Sequence, residues 1–362
     1  MPEFEYIAPQ SFDRLSERIA AEKLLGVDTE FMRETTFYPE LCLLQLATPD
    51  RIFCADPLGL SETEIDVAGF WQTLADRRWV VHSARQDMEV LYLTAGLLPR
   101  EIFDTQVAAA LLGYAPQLGY AAMVAELFGV VLAKSHTRAD WRRRPLPREF
   151  LEYAAEDVEH LLPACEVLSE RLSKRGRLEW ARQDSMDLLD NALYGADPAA
   201  AIDRLKGARN LRGRARRAAE ALAAWREREA LRLDRPRQWI LKDAALLDLA
   251  MANPANAADL SRIPGLPPKI VKRSGNELAA LVAAARTGTD DYEPPARPDE
   301  AAKAVLKEMQ GRVAAAAARL EIVPEVLAPR KELSEALTGA RDLRVFRGWR
   351  REVIGQELLG LL

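Results

Sequence analysis

The sequence predicts an α/β fold built on a mixed sheet, followed by an all-α half. Three observations carry this. The first 60 residues hold three short apolar runs joined by tight connections. The next forty alternate between strand and helix patterns. After Thr105, apolar residues recur almost entirely at helical spacing.

Taken in order, Leu24-Leu25-Gly26-Val27 runs into Asp28. Leu41 to Ala47 is a second run and Arg51 to Ala55 a third, with a Pro49-Asp50 turn signal between them. Such spacing predicts an antiparallel meander. Phe70 to Ala75 then reads as helix, Trp79 to His82 as strand, Asp87 to Ala95 as helix and Ile102-Phe103 as a short strand, which makes the sheet mixed. Residues 147–175 read as one helix, with apolar positions at Phe150, Leu151, Ala154, Val158, Leu161, Leu162 and Leu168. Residues 211–286 read as several helices broken at Pro236, Pro254, Pro264 and Pro267-Pro268. The acidic, Pro-rich stretch 287–299 is a linker, and residues 300–362 are a last, Ala-rich helical piece.

At roughly 150 residues per domain, 362 residues fit two or three domains. Apolar residues at 49% and charged residues at 29% exclude fibrous and wholly disordered classes. No run reaches the ~18 uncharged apolar residues of a membrane span, and the start MPEFEYIAPQ has no basic and apolar leader pattern. Cys42, Cys54 and Cys165 are scattered and odd in number, which suits neither a disulfide framework nor a zinc site and makes a reducing cytoplasm the expected location. The net charge of −5 is unevenly divided: residues 1–200 carry −13 and residues 201–362 carry +8, with a dense basic run at 204–217 that holds no acid. A basic half of this kind suggests a polyanion partner, although solvated helix faces would also account for it.

Three acidic segments carry the chemistry. In Val27-Asp28-Thr29-Glu30-Phe31, two carboxylates two positions apart on a strand share one face. Their repulsion would be offset by a bound cation, and oxygen donors without His or Cys suit Mg²⁺ or Mn²⁺. In His82 to Glu89, Asp87 sits where a helix opens, either capping it or adding a third carboxylate. In Tyr153-Ala154-Ala155-Glu156-Asp157, Tyr153 and Asp157 share a helix face. Each segment is weak alone; the order D-x-E, D, Y-x₃-D is far more specific.

On these residues the chain resembles the ribonuclease D family of DEDD exonucleases with tyrosine in the third motif. The likeness extends to Tyr38-Pro39, Leu41 to Leu46, His82-Ser83-Ala84, Phe103-Asp104-Thr105-Gln106, Ser135 to Trp141 and Pro145-Leu146. Residues 205–286 resemble an HRDC domain, and 300–362 look like a second, degenerate copy. The resemblance implies a ribonuclease H-like exonuclease domain over 1–200, a mixed sheet with flanking helices, followed by two all-α HRDC-like domains. It implies a 3′–5′ exoribonuclease using two divalent ions, Mg²⁺ or Mn²⁺. Asp28 would bridge both, Glu30 and Asp157 would complete the first site, Asp87 would support the second through water, and Tyr153 would orient the attacking water. The same resemblance implies tRNA precursors and small structured RNAs as partners.

Around that site, Lys134, Arg138 and Arg142-Arg143-Arg144 are candidates to hold the substrate backbone, with Asp104 and Asp140 ordering their loop. Phe31 is a candidate wedge against a terminal base, and more often such a residue is core. His82 reads as a structural histidine beside the site. Lys269, Lys272 and Arg273 open a helix after the Ile263 to Pro268 turn, where phosphate is favoured. The segment 1–200 has apolar runs enough for a core of its own, and with no heptad pattern the protein is expected to be a monomer. Two other readings are a DNA exonuclease of the same superfamily and a non-catalytic RNA-binding protein on a nuclease fold. A helicase motor is excluded because no G-x₄-G-K-[ST] motif occurs.

Overall fold

The computed structural model describes residues 2–62, 64–132, 139–289, 292 and 299–362. They form two compact units: Met1–Met32 with Glu40–Tyr194 and Pro298–Leu362, and Arg33–Pro39 with Gly195–Arg297.

The first unit is built on six strands: β1 (Phe4–Ile7), β2 (Leu24–Met32), β3 (Glu40–Ala47), β4 (Ile52–Ala55), β5 (Arg78–Val81) and β6 (Glu101–Asp104). Their order in the sheet is β1-β4-β3-β2-β5-β6. β2, β3 and β4 are the antiparallel meander, while β5 and β6 continue parallel to β2. β1 joins the far edge parallel to β4. Its short FEYI run carries too little pattern to stand out in the sequence.

Helices cover both faces. α1 (Phe12–Ala20), α2 (Val67–Ala75) and α3 (Arg85–Ala95) share a core with Leu25, Val27, Leu44, Leu46 and Phe53 on one face. α4 (Thr105–Leu111), α5 (Tyr120–Phe128), α6 (Arg148–Glu159), α7 (Leu161–Lys174) and α8 (Leu178–Met186) cover the other. Gly26 allows this layer to come close: a Cβ there would stand 3.1 Å from the Ala47 Cβ and 3.3 Å from the Leu161 Cβ.

The helix expected over 147–175 is broken at His160, where φ is −102° and ψ is 4°. Pro163 explains the break. It has no N–H to give to the Glu159 carbonyl, and its ring crowds that turn. At the break the Tyr120 hydroxyl comes between the His160 N–H and its regular partner, the Glu156 carbonyl, accepting from the one and donating to the other, both at 3.0 Å.

The second unit contains α9 (Gly213–Leu233), α10 (Arg237–Ile240), α11 (Asp243–Ala252) and α12 (Pro268–Ala284). Its core combines Leu222, Trp225, Leu246, Leu249, Leu260 and Leu278 with Phe37. Asp234 ends α9 in the left-handed region, φ 46°, and its Oδ1 accepts from the N–H groups of Phe37 and Tyr38, both at 2.9 Å. Most of the expected 287–299 linker lies outside the described residues.

The remaining helices are α13 (Glu300–Leu320), α14 (Pro324–Leu327) and α15 (Arg330–Leu337), with short turns up to Leu359. Residues 1–200 hold one core wholly their own, over α1–α3, while the core over α4–α8 is shared with residues 300–362. Leu306, Met309, Val313, Leu333, Val345 and Leu358 lie in the same hydrophobic cluster as Leu111, Leu168 and Leu172. The boundary at 299/300 is therefore a change in composition, not in packing. Among the described residues, no helix is long and apolar enough to cross a membrane.

Candidate active site

Asp28 and Glu30 project from β2 toward the α6–α7 layer, since Gly26 and Met32, in phase with them, meet that layer. The register shift beside Glu30 leaves Cys42 of β3 as the bulged residue, so the alternation of β2 runs on through Met32. Asp87 is the third residue of α3 and buried; it is not the cap of that helix, which begins after Ala84. Thr29, on the opposite face of β2 from Asp28, donates through Oγ1 to Asp87 Oδ1 at 2.5 Å. Asp157 lies near the end of α6, and Tyr153, one turn earlier, hydrogen-bonds to it.

The four carboxylates perturb one another. Burial raises Asp28 well above its ordinary range, and the charges of Asp87, Asp157 and Glu30 add to this. Burial and the charges of Asp157 and Asp87 push Glu30 up to about 9. Asp87 is raised to about 7, mainly by burial, with the Thr29 hydrogen bond working against it. Asp157 is raised to about 7 by burial, opposed by the Tyr153 hydrogen bond. Buried acids that oppose one another's ionisation, all with hard oxygen donors, have the chemistry of a divalent-cation site. Among the described residues no three of them already stand as a closed cage. Asp87 is held by Thr29.

These shifts predict how stability depends on pH. A carboxyl raised in the folded state stabilises the fold below its unfolded value, and that contribution is lost as pH climbs through the folded value. For Glu30 the window runs from 4.5 to about 9. In chelator, the melting temperature should fall steadily from pH 5 to pH 9, and added Mg²⁺ or Mn²⁺ should flatten the slope. Parallel wild-type and Glu30→Gln slopes would show that Glu30 is not responsible.

A cleft of about 160 Å³ opens at the site, lined by Asp28, His82, Tyr120, Asp157 and Leu161. His82 is held at both ring nitrogens: Nδ1 lies 2.9 Å from Thr105 Oγ1 and Nε2 lies 2.9 Å from the Leu118 carbonyl. Tyr120 was not legible as a site residue. Its hydroxyl donates to the Glu156 carbonyl at 3.0 Å and accepts from His160, so it clamps the backbone on both sides of Asp157. Asp104 is buried and holds the turn before α3, accepting from Ser83 N–H at 3.1 Å and Ala84 N–H at 2.9 Å. It also caps α4, a task different from ordering the basic loop.

The other candidates separate clearly. Lys134 and Arg138 lie outside the described residues. Arg144 makes a bidentate pair with Asp56, at 2.5 and 2.6 Å, and Arg142 pairs with Glu40 at 2.6 Å, so both are tied into the fold. Arg143 is exposed. Phe31 is partly buried and packs against the core of the α1–α3 face. In the second unit, Lys269 and Lys272 are exposed in the first turns of α12, while Arg273 contacts Glu229 at 3.2 Å.

A 3′–5′ exonuclease family model matches residues 8–173, and an HRDC domain model matches residues 215–282. With the mixed sheet, these define a 3′–5′ exonuclease of the DEDD superfamily carrying an HRDC domain. Ribonuclease D of Granulibacter bethesdensis is 39% identical over 96% of this chain and 89% of its own. Ribonuclease D of Pseudomonas paraeruginosa is 35% identical over 100% of this chain and 98% of its own. The crystal structure of Escherichia coli RNase D, an exoribonuclease involved in structured RNA processing, superposes with a TM-score of 0.90 at 28% identity, covering 99% of this chain and 98% of that one. The chain belongs to the ribonuclease D family. It is a 3′–5′ exoribonuclease, metal-dependent as the DEDD exonucleases are.

Proposed function

We propose that this exoribonuclease removes 5′-mononucleotides from RNA 3′ ends with two divalent ions, Mg²⁺ or Mn²⁺, at Asp28, Glu30, Asp87 and Asp157. The observation that carries this is the mutual opposition of the four acids around Asp28, which a pair of divalent cations would balance in charge. Asp28, Glu30 and Asp157 would hold these ions together with Asp87, which Thr29 orients. When bound, such ions activate water and stabilise charge on the phosphoryl group and leaving oxygen. The chain's own residues supply the rest: Thr29 and Tyr120 fix the acids, and Tyr153 presents a hydroxyl that burial and the nearby acids keep protonated.

Tyr153 is the residue proposed to orient the attacking water. Tyr153→Phe keeps the ring against Trp141, whose centroid is 6.3 Å away, and removes only the hydroxyl. Turnover should fall ~10²–10³-fold with RNA affinity preserved. Poor RNA binding with unchanged turnover at saturation would move Tyr153 from the water to the substrate.

The substrates we infer are tRNA precursors and small structured RNAs, handled by a monomer in the cytoplasm. The second unit, with its exposed Lys269 and Lys272, and the degenerate HRDC-like region 300–362 would hold RNA mainly through phosphates, binding more weakly as salt rises. Incubation with 3′-labelled tRNA precursor and matched single-stranded DNA, with and without Mg²⁺ or Mn²⁺, tests the reading. Metal-dependent release of mononucleotides from the RNA is the expected result. Preference for the DNA would favour a DNA exonuclease, and no hydrolysis of either would favour a binding protein.

A further inference from the structure

Gln45 lies in the middle of β3 and is wholly buried. Neither its amide nitrogen nor its carbonyl oxygen has a hydrogen-bond partner among the described residues. Buried polar groups are nearly always paired, because leaving one unpaired keeps the full desolvation cost. The register pairs Gln45 with Asp28 on one side and with Cys54 on the other. Directly opposed residues of antiparallel strands project from the same face with Cβ atoms about 4.5–5.5 Å apart. Gln45 and Asp28 therefore stand side by side beneath α6. The rest of the surroundings offer little. Cys54 directs its thiol to the Leu151 carbonyl at 3.7 Å, Leu43 and Ala47 are apolar, and α6 buries Ala154, Ala155 and Val158 in this layer. Among the described residues, Asp28 is the strong acceptor directly opposite Gln45 in the sheet, with Glu30 on the same face one pair further along.

We propose that Gln45 is a positioning residue for Asp28: its amide N–H donates to the Asp28 carboxylate and fixes that side chain's orientation when a cation is held. A carboxamide suits this role. It gives a hydrogen bond without a positive charge that would compete with the cation, and it reaches farther than a serine. An apolar residue would pack there without that desolvation cost, as Leu43 does on the same face. Partners that orient metal-binding carboxylates typically change metal affinity or activity by 10–100-fold when removed.

The inference rests on the proposal that Asp28 holds metal, and the test separates the two. Gln45→Met keeps an unbranched side chain of similar length and removes both polar atoms. Three quantities are read: the melting temperature in chelator, the Mn²⁺ concentration giving half of the metal-induced melting shift, and kcat and KM on a short RNA. The metal-free variant should melt at the wild-type temperature or above. Its Mn²⁺ midpoint should rise about 10–100-fold, with kcat lowered at subsaturating metal and KM for RNA unchanged. A lower metal-free melting temperature with an unchanged Mn²⁺ midpoint would make Gln45 merely structural and overturn the inference. Asp28→Asn is the control. If it too leaves the midpoint unchanged, the metal assignment falls and the inference falls with it; if it alone moves the midpoint, only the role of Gln45 is lost. Should Gln45→Met not fold, Gln45→Asn keeps an amide that falls short of Asp28. Its midpoint should rise several-fold, and an unchanged value there overturns the inference equally.

Discussion

Asp28→Asn is expected to reduce RNA hydrolysis ~10³-fold or more while leaving the protein folded, because several kcal/mol of transition-state stabilisation by metal depends on this carboxylate. The side chain sits at the centre of the electrostatic cluster, where Asp87, Asp157 and Glu30 all act on it. An amide of the same shape removes one of four like charges and adds no volume. The metal-free protein should therefore melt at the same or a higher temperature than wild type, since the cost of burying a carboxyl beside three others is removed. The same substitution should abolish the stabilisation given by Mg²⁺ or Mn²⁺. Product release, the far-ultraviolet spectrum and melting curves with and without metal check these three points together. Wild-type hydrolysis with wild-type metal dependence would end the assignment of Asp28.

The acids and Tyr153 stand out in the sequence because metal chemistry restricts residue type and because strand and helix periods say which of them share a face. What was not legible depends on partners distant in the chain. Thr29 reads as a spacer between two acids until α3 brings Asp87 against it. Tyr120 belongs to an apolar helix with no motif, and only the break at His160 reveals what its hydroxyl does. Gln45 is one polar residue in a run of apolar ones, and its meaning comes from the register that places it opposite Asp28. For the arginines of 142–144, sequence gives their charge, but not that Asp56 and Glu40 pair with two of them.

The largest departure concerns residues 300–362, and it alters what truncation should do. An amphipathic, Ala-rich helix announces that it has an apolar face, not what that face covers. Here it covers the exonuclease. Trp349 stacks on Trp180 with ring centroids 4.3 Å apart and planes 5° from parallel. Arg350, buried, pairs with both oxygens of Asp184 at 2.5 and 2.6 Å. Gly113, with φ 100°, leaves room for the Glu321 carbonyl oxygen, which a Cβ would meet at 2.4 Å. Deleting 298–362 spares every motif residue but uncovers the apolar surface on α4, α7 and α8. Each large side chain returned to water costs about 1.5–3 kcal/mol, and a whole domain is stable by only about 5–15 kcal/mol. A few such side chains suffice to bring the remainder to the edge of unfolding. The truncated chain is expected to be poorly soluble or to melt at least ~10 °C lower, at ~2–4 °C per kcal/mol for a domain of this size. It should also bind a hydrophobic dye that the full chain does not. Metal-dependent hydrolysis per folded molecule should survive, because the chemistry lies wholly before residue 158, and that separates a loss of stability from a loss of mechanism. A soluble truncation melting at the full-length temperature would instead make the segment an independent domain.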